Sequence, residues 1–138
     1  MSAAAIAVAV VGLGVGEQHA RAFQAIEGCR VKYLIDKNLS QAERLSGEFP
    51  SALLSTSPDL ALADPEIDIV SIASPDDAHF EQVMTGLTNR KSRFVEKPLC
   101  RSLEELRSIN KAWRSADCPA LDSNLVLRAA PLWQWLIR

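Results

Sequence analysis

An uninterrupted apolar run that leads into three alternating glycines constrains this chain more than any other feature. The run covers residues 6–11, and Gly12, Gly14 and Gly16 follow it at every second position. A strand that is apolar on both faces belongs inside a parallel sheet covered by helices. Apolar residues then recur at helical spacing over residues 17–26. The sequence therefore predicts a buried strand, a tight glycine turn and a helix.

Such a turn directs backbone N–H groups and the positive end of the helix dipole at one spot, which suits a phosphate or pyrophosphate. Glycine is required there because a Cβ would block the tight turn and the approach of the ligand. A glycine turn that binds nothing is the alternative, but three glycines in five residues favour nucleotide binding. A signal peptide is a poor interpretation, since the run lacks a basic leader and a cleavage site.

A carboxylate follows the second predicted strand. Residues 30–36 form that strand pattern, and it ends at Asp36. In a nucleotide-binding βαβ unit, a carboxylate in this place accepts hydrogen bonds from the hydroxyls of an adenosine ribose. Asp36-Lys37-Asn38 is also favourable turn and helix-capping chemistry, so an ordinary solvated turn is the alternative. The glycines upstream favour ribose binding.

Size, charge and cysteine content limit the classes of protein to consider. A chain of 138 residues allows one ordinary core and is too short for two full domains. Its net charge of −2 provides no electrostatic footprint for nucleic acid or an anionic membrane, and no apolar run approaches a membrane span. Cys29, Cys100 and Cys118 lack the spacing of a disulfide framework or a zinc site. We therefore expect a cytoplasmic protein without a bound metal.

Strand and helix patterns alternate along the rest of the chain. Helices are predicted over 39–45, from Pro58, from His79 through Leu87, from Ser102 through Trp113 and from Pro131, and strands near 52–54 and over 67–73, 93–96 and 124–127. This alternation predicts an α/β fold, a doubly wound parallel sheet with helices on both faces.

In such a sheet the ligand lies beyond the carboxyl ends of the strands. That geometry gathers the glycine turn, Asp36, Ser74-Pro75 and Glu96-Lys97-Pro98 on one rim, which favours one cleft over four unrelated loops. Lys97 is either a solvated strand end or lies where a nicotinamide ring binds, able to hydrogen-bond a substrate hydroxyl and help to move its proton. His79, near the start of a helix that faces this rim, either caps, packs or contacts the cofactor.

Three motifs together resemble the Gfo/Idh/MocA oxidoreductases, the relatives of glucose–fructose oxidoreductase and inositol 2-dehydrogenase. The motifs are the stretch from Gly12 to Ala20, Ala73-Ser74-Pro75 with His79 four residues on, and Glu96-Lys97-Pro98-Leu99. The resemblance covers essentially the whole chain. It implies a Rossmann fold, a nicotinamide cofactor, and oxidation or reduction of a sugar, cyclitol or related polyol.

By the same resemblance, Lys97 is the catalytic lysine and Pro98 follows a cis peptide bond. The cofactor-binding residues expected in total are Gly12, Gly14, Gly16, Asp36, Ser74, Pro75, His79, Glu96 and Pro98. NAD is the expected cofactor rather than NADP, because Asp36 would repel the additional phosphate of NADP. The counter-argument is Lys37, whose amino group is able to meet that phosphate.

Two departures from the family pattern stand out. The family's turn reads G-x-G-x-x-G-x-x-H, whereas the distance from Gly12 to His19 is one residue shorter and Glu17 holds the third glycine's position. We expect Gly16 to take that role and Glu17 to point away from the pyrophosphate. Family members also continue into an α+β substrate domain. Residues 1–138 are therefore expected to be a dinucleotide-binding domain that is inactive without its other half.

Two other functions remain open at this stage. The glycine turn also fits an S-adenosylmethionine-dependent methyltransferase, although Val10 and Val11 stand where those enzymes carry an acidic residue, and Glu96-Lys97-Pro98 is then unexplained. A non-catalytic nucleotide-binding module is the second. The stretch 129–138, with two tryptophans and three large aliphatic residues, predicts an exposed apolar surface through which the chain self-associates.

Overall fold

The computed structural model describes residues 5–117, 119–128 and 130–136, so Cys118 and both ends of the 129–138 stretch lie outside the described residues. Strands and helices alternate as the sequence predicts. The strands are β1 (Ile6–Val11), β2 (Cys29–Ile35), β3 (Leu53–Ser55), β4 (Ile69–Ile72), β5 (Ser92–Glu96) and β6 (Leu121–Asn124). The helices are α1 (Gly16–Gln24), α2 (Leu39–Leu45), α3 (Asp59–Ala63), α4 (His79–Thr88), α5 (Leu103–Ser115) and α6 (Pro131–Leu136), with a short 3₁₀ turn at Val126–Arg128.

The six strands form one sheet in the order β3-β2-β1-β4-β5-β6, and every neighbouring pair is parallel. This is the strand order of a Rossmann fold, which confirms the predicted fold class. The direction of winding reverses between β1 and β4. A crevice therefore opens at their carboxyl ends, where ligands of such sheets bind.

The core lies on both faces of β1, as its apolar pattern predicts. Ala7, Ala9 and Val11 pack on one face with residues of α3, α4 and α5. Val8 and Val10 pack on the other face with residues of α1 and α2. All five side chains are at most 4% exposed. Burial on both faces fixes β1 at the centre of the sheet, and with it the position of the glycine turn.

Capping chemistry sets the start of two helices. The Asn38 side chain accepts a hydrogen bond from the Ser40 backbone N–H at the start of α2. Ser102 and Glu105 form a reciprocal capping box at the start of α5. The helices therefore begin where the sequence predicts, because each of these side-chain oxygens satisfies an N–H group that the first turn leaves unpaired.

The sixth strand begins three residues before the position that the sequence predicts. Residues 124–127, of which the last three are apolar, predict a strand, but β6 covers Leu121–Asn124 and a 3₁₀ turn follows it. The register decides this, since Leu121 to Asn124 pair with Arg93 to Glu96 of β5. Asp122 is exposed on this last strand, so the apolar signal of a buried strand is weak where the strand lies.

The described part of the chain contains no helix that is long and apolar enough to cross a membrane.

Candidate functional site

The glycine turn brings the end of β1 into close contact with the end of β4. Gly12 has φ +85°, a left-handed conformation that favours glycine. A Cβ on Gly12 would lie 2.5 Å from the carbonyl oxygen of Ala73 and 2.5 Å from the backbone nitrogen of Ser74. Both atoms belong to the backbone directly after β4, where the Ala73 N–H donates to the Val11 carbonyl oxygen at 2.7 Å. Only glycine therefore fits at the first position of the turn.

The other two glycines of the turn differ in their surroundings. A Cβ on Gly14 would meet no protein atom within 4 Å, because this residue borders the crevice. A Cβ on Gly16 would lie 3.1 Å from Val10 Cγ1 and 3.2 Å from the Ala73 Cβ, so this glycine allows close packing of α1 on the sheet. Gly16 begins α1, and it fills the packing role expected of the third glycine.

The start of α1 has free hydrogen-bonding capacity. Its N-cap residue, Val15, has a side chain without polar atoms and makes no capping hydrogen bond. The first N–H groups of a helix have no partner within the helix. The Gln18 N–H donates to the Val15 carbonyl oxygen at 2.9 Å. Capacity for an anion therefore rests with the N–H groups before Gln18, which follow Gly14 of the crevice in the chain.

Glu17 is turned toward basic side chains. Its carboxylate forms ion pairs with Arg21, one turn further along α1, and with Arg44 of α2. The hydrogen bonds from Arg44 and Arg21 hold the pKa of Glu17 below its ordinary value. The carboxylate is thus neutralised by its basic neighbours.

Asp36 is hydrogen-bonded to the glycine turn. Its Oδ2 accepts from the Leu13 backbone N–H at 2.8 Å, and its Oδ1 accepts from the Asn38 backbone N–H at 2.9 Å. The turn chemistry that the sequence suggests is therefore present. Each carboxylate oxygen accepts about two hydrogen bonds, so both retain capacity toward a ligand. The bond to Leu13 also orients Asp36 toward the crevice.

A cavity of about 420 Å³ occupies this crevice. It is bordered by residues from the ends of β1, β2, β3 and β4 and from α4: Val11, Gly12, Gly14, Ile35, Asp36, Lys37, Thr56, Pro58, Ala73, Ser74, Pro75 and Gln82. Five residues predicted for cofactor binding (Gly12, Gly14, Asp36, Ser74 and Pro75) thus line one cavity. Gln82 is an addition that the sequence did not indicate.

His79 is fully buried, with 0% of its side chain exposed. Its Nδ1 lies 2.7 Å from the Pro98 carbonyl oxygen and its Nε2 lies 2.8 Å from the Ser74 carbonyl oxygen. The ring therefore ties the loop after β4 to the loop after β5. Direct contact with a cofactor, which the family resemblance implied, does not fit this placement, because the side chain has no exposed surface.

Glu96 is occupied by donors of the protein itself. Its Oε1 accepts from His19 Nε2 at 3.0 Å and from the Asn124 side chain, and its Oε2 accepts from the Lys97 backbone N–H at 3.2 Å. Burial alone would raise the pKa of Glu96, but the hydrogen bonds from Asn124, His19 and Lys97 outweigh burial and lower it. An ionised Glu96 therefore fixes the backbone just before Pro98.

His19 extends this network to β4. Its Nδ1 lies 2.8 Å from Ser71 Oγ, and its ring packs against Phe94 at 5.2 Å between centroids. With Nε2–H donating to Glu96, Nδ1 accepts from the Ser71 hydroxyl. This histidine links α1 to the strand end that carries Lys97. The sequence contains His19 within the family motif, but neither Ser71, which bonds His19, nor Asn124, which bonds Glu96, carries a local signal.

Lys97 is exposed at the end of β5. The Lys97–Pro98 peptide bond is cis, as the resemblance implies. Neither Lys97 nor Glu96 nor Pro98 borders the 420 Å³ cavity. Within the described residues, the Lys97 amino group forms no ion pair. Its side chain is accessible to solvent at the carboxyl end of β5.

Comparison with known proteins places these features in a family. The model of an oxidoreductase family with an NAD-binding Rossmann fold matches residues 6–121. The relative inositol 2-dehydrogenase 2 of Mycolicibacterium vanbaalenii is 33% identical over 123 residues, which cover 88% of this chain and 36% of that protein. The scyllo-inositol 2-dehydrogenase (NAD(+)) of Bacillus subtilis is 34% identical over 105 residues, which cover 75% of this chain and 31% of that protein.

Solved structures share the fold. The crystal structure of GenD2 from gentamicin A biosynthesis in complex with NAD matches with a TM-score of 0.81 at 27% sequence identity, covering 89% of this chain and 35% of that one. The chain spans about a third of the length of the curated relatives it matches.

Proposed function

Since the chain belongs to the oxidoreductase family with an NAD-binding Rossmann fold, we propose that it binds NAD(H) in the crevice at the end of β1. The observation that carries this proposal is the space at Gly14. A Cβ there would meet no protein atom within 4 Å, although Gly12, two residues earlier, leaves no room for a side chain. A turn that is closely packed on one side and open on the other suits a pyrophosphate held by backbone N–H groups.

Each wall of the crevice contributes a different interaction. The turn and the start of α1 would hold the pyrophosphate through backbone N–H groups. Asp36 would accept hydrogen bonds from the adenosine ribose, using the oxygen capacity that Leu13 and Asn38 leave free. Ser74 and Pro75 would line the path toward the rim where Lys97 lies. His79 and Glu96 would act as positioning residues for the two loops rather than as ligands of the cofactor.

NAD would be favoured over NADP. A phosphate on the ribose 2′-oxygen would meet the Asp36 carboxylate, and like charges at close range repel each other. Lys37 also borders the cavity, and among the described residues that line it the Lys37 amino group is the one charge that would attract the 2′-phosphate instead. Because Asp36 is already fixed by two backbone N–H groups, it cannot turn away from such a phosphate without breaking them.

The bound nicotinamide would supply hydride transfer to or from a carbon atom of a polyol. Lys97 would hydrogen-bond the hydroxyl oxygen on that carbon and help to move its proton. The relatives' names indicate cyclitol substrates for those proteins. For this chain, residues 1–138 would constitute the dinucleotide-binding domain, and we propose that it binds cofactor without turnover when it is alone.

Calorimetric titration of the chain with NADH, NADPH and S-adenosylmethionine tests this proposal. We expect saturable binding of NADH, weaker binding of NADPH and no binding of S-adenosylmethionine. Binding of S-adenosylmethionine without NADH would refute the proposal and favour a methyltransferase-type site.

A further inference from the structure

We propose that Gln82 of α4 is an additional cofactor-binding residue, which donates a side-chain N–H to the pyrophosphate from the wall opposite Asp36. This inference rests on the proposed function and extends it to a residue outside the glycine turn and the three sequence motifs.

The position of Gln82 follows from the topology. Asp36 follows β2, whereas Gln82 belongs to the helix after β4, and β1 lies between these two strands. Gln82 borders the same cavity as Gly12, Gly14 and Asp36. The glycine turn thus forms the floor of the cavity, and Asp36 and Gln82 stand on its two sides. A ligand that contacts Gly14 would therefore have Asp36 on one side and Gln82 on the other.

The hydrogen bond to Ser74 decides which atoms of Gln82 are available. Ser74 Oγ donates to Gln82 Oε1 at 2.7 Å, which fixes the orientation of the half-buried amide. The carbonyl oxygen of the amide is thereby engaged, while Nε2 keeps two hydrogens to donate. The Ser74 hydroxyl hydrogen is engaged in this bond, so Ser74 has only oxygen lone pairs left for a ligand. Of the two side chains, Gln82 is therefore the one that can donate to an anion.

A pyrophosphate matches this donor, because its oxygens only accept hydrogen bonds and carry negative charge. Hydrogen bonds to charged acceptors are stronger than those between neutral groups. Asp36 on the other wall presents acceptors and suits hydroxyl groups instead. The two walls are thus chemically distinct, one for ribose and one for phosphate.

The test compares NADH, ADP and adenosine binding by the unchanged chain with binding by two variants. Gln82→Glu keeps an acceptor for Ser74 but places a negative charge where the N–H groups were, and Gln82→Met keeps the length of the side chain without donors. The control is Asn89→Asp, the same amide-to-carboxylate change at the exposed C-cap of α4. Circular dichroism and thermal unfolding verify that all variants fold.

We expect Gln82→Glu to raise the Kd for NADH and ADP about tenfold or more, equivalent to about 1.4 kcal/mol, and Gln82→Met to raise it several-fold. Adenosine binding and the Asn89→Asp variant should stay within about twofold of the unchanged chain. Equal NADH affinity in the unchanged chain and both Gln82 variants would overturn the inference. An equal loss for adenosine would refute the pyrophosphate contact. If the unchanged chain bound no NADH, the proposed function itself would fail, and this inference with it.

Discussion

Substitutions at Gly12 and Gly14 separate the folding role of the glycine turn from its binding role. Gly12→Ala places a methyl group 2.5 Å from two backbone atoms of the β4 loop and forces alanine into φ +85°. The left-handed conformation costs about 1–2 kcal/mol, and the overlap adds roughly 1–3 kcal/mol. The free energy of unfolding should therefore fall by about 2–5 kcal/mol. At about 4 °C per kcal/mol, Tm should decrease by roughly 8–20 °C.

Gly14→Val should leave the thermal stability nearly unchanged and weaken the binding of NADH. No protein atom lies within 4 Å of the added Cβ, so Tm should change by no more than about 3 °C, since surface substitutions usually cost under about 0.5 kcal/mol. The valine occupies the space where a pyrophosphate would approach the backbone. Loss of one or two hydrogen bonds to a charged group, at about 1.5–3 kcal/mol each, should raise the Kd for NADH by at least about tenfold.

Thermal unfolding followed by circular dichroism and calorimetric titration with NADH measure the two effects separately. The reasoning would be refuted if Gly14→Val bound NADH as tightly as the unchanged chain. It would also be refuted if Gly12→Ala unfolded at the unchanged temperature. Gly47→Ala serves as a control, because a Cβ there also meets no atom within 4 Å and Gly47 does not border the cavity.

Four further predictions concern charge, chemistry and association. Asp36→Asn should reduce the preference for NADH over NADPH, because it removes the repulsion of the 2′-phosphate; titration with both cofactors at moderate salt measures this. In any version of the protein that includes a substrate domain, Lys97→Ala should abolish polyol turnover with little change in NADH affinity, since the amino group acts on the substrate; near-normal turnover would contradict this role. Hydrogen bonding, first from Lys32, lowers the pKa of Asp64 from 3.8 to about 2. The stability that Asp64 contributes is therefore present above pH 3.8 and lost as the pH falls toward 2, so the Tm difference from Asp64→Asn should shrink over that interval. Finally, light scattering should show self-association of the chain but not of one that ends at Arg128, because Trp135 is 72% exposed; a monomer in both cases would contradict this.

The central strand, the glycine turn and the alternation of elements could be predicted from the sequence because local patterns determine them. A run that is apolar on both faces has few places to lie except inside a parallel sheet. The strand ends then meet on one rim by topology alone, which placed Asp36 and Ser74 at one cavity. Ser102 and Asn38 likewise start helices by contacts within a few residues.

Contacts between distant residues could not be predicted in the same way. Nothing near Glu96 in the sequence indicates that His19 and Asn124 occupy its carboxylate, because these partners lie on α1 and β6. The sequence leaves His79 open between capping, packing and cofactor contact, and its buried position depends on contacts with the distant Pro98 and Ser74 carbonyl oxygens. The sixth strand was misplaced because its exposed Asp122 weakens the apolar pattern. In each case tertiary packing decides the role of a side chain.

A titration of the ¹⁵N-labelled chain with NAD, followed by amide chemical shifts, tests the central claim most directly. Binding at the crevice predicts saturable shifts at the amides of Leu13, Gly14, Val15 and Gly16 and at the side-chain amide of Gln82. The amides at the far ends of α4 and α5, near Thr88 and Ser115, should remain unchanged. Shifts confined to those distant amides, or no shifts at millimolar NAD, would contradict the assignment of this crevice as the dinucleotide site.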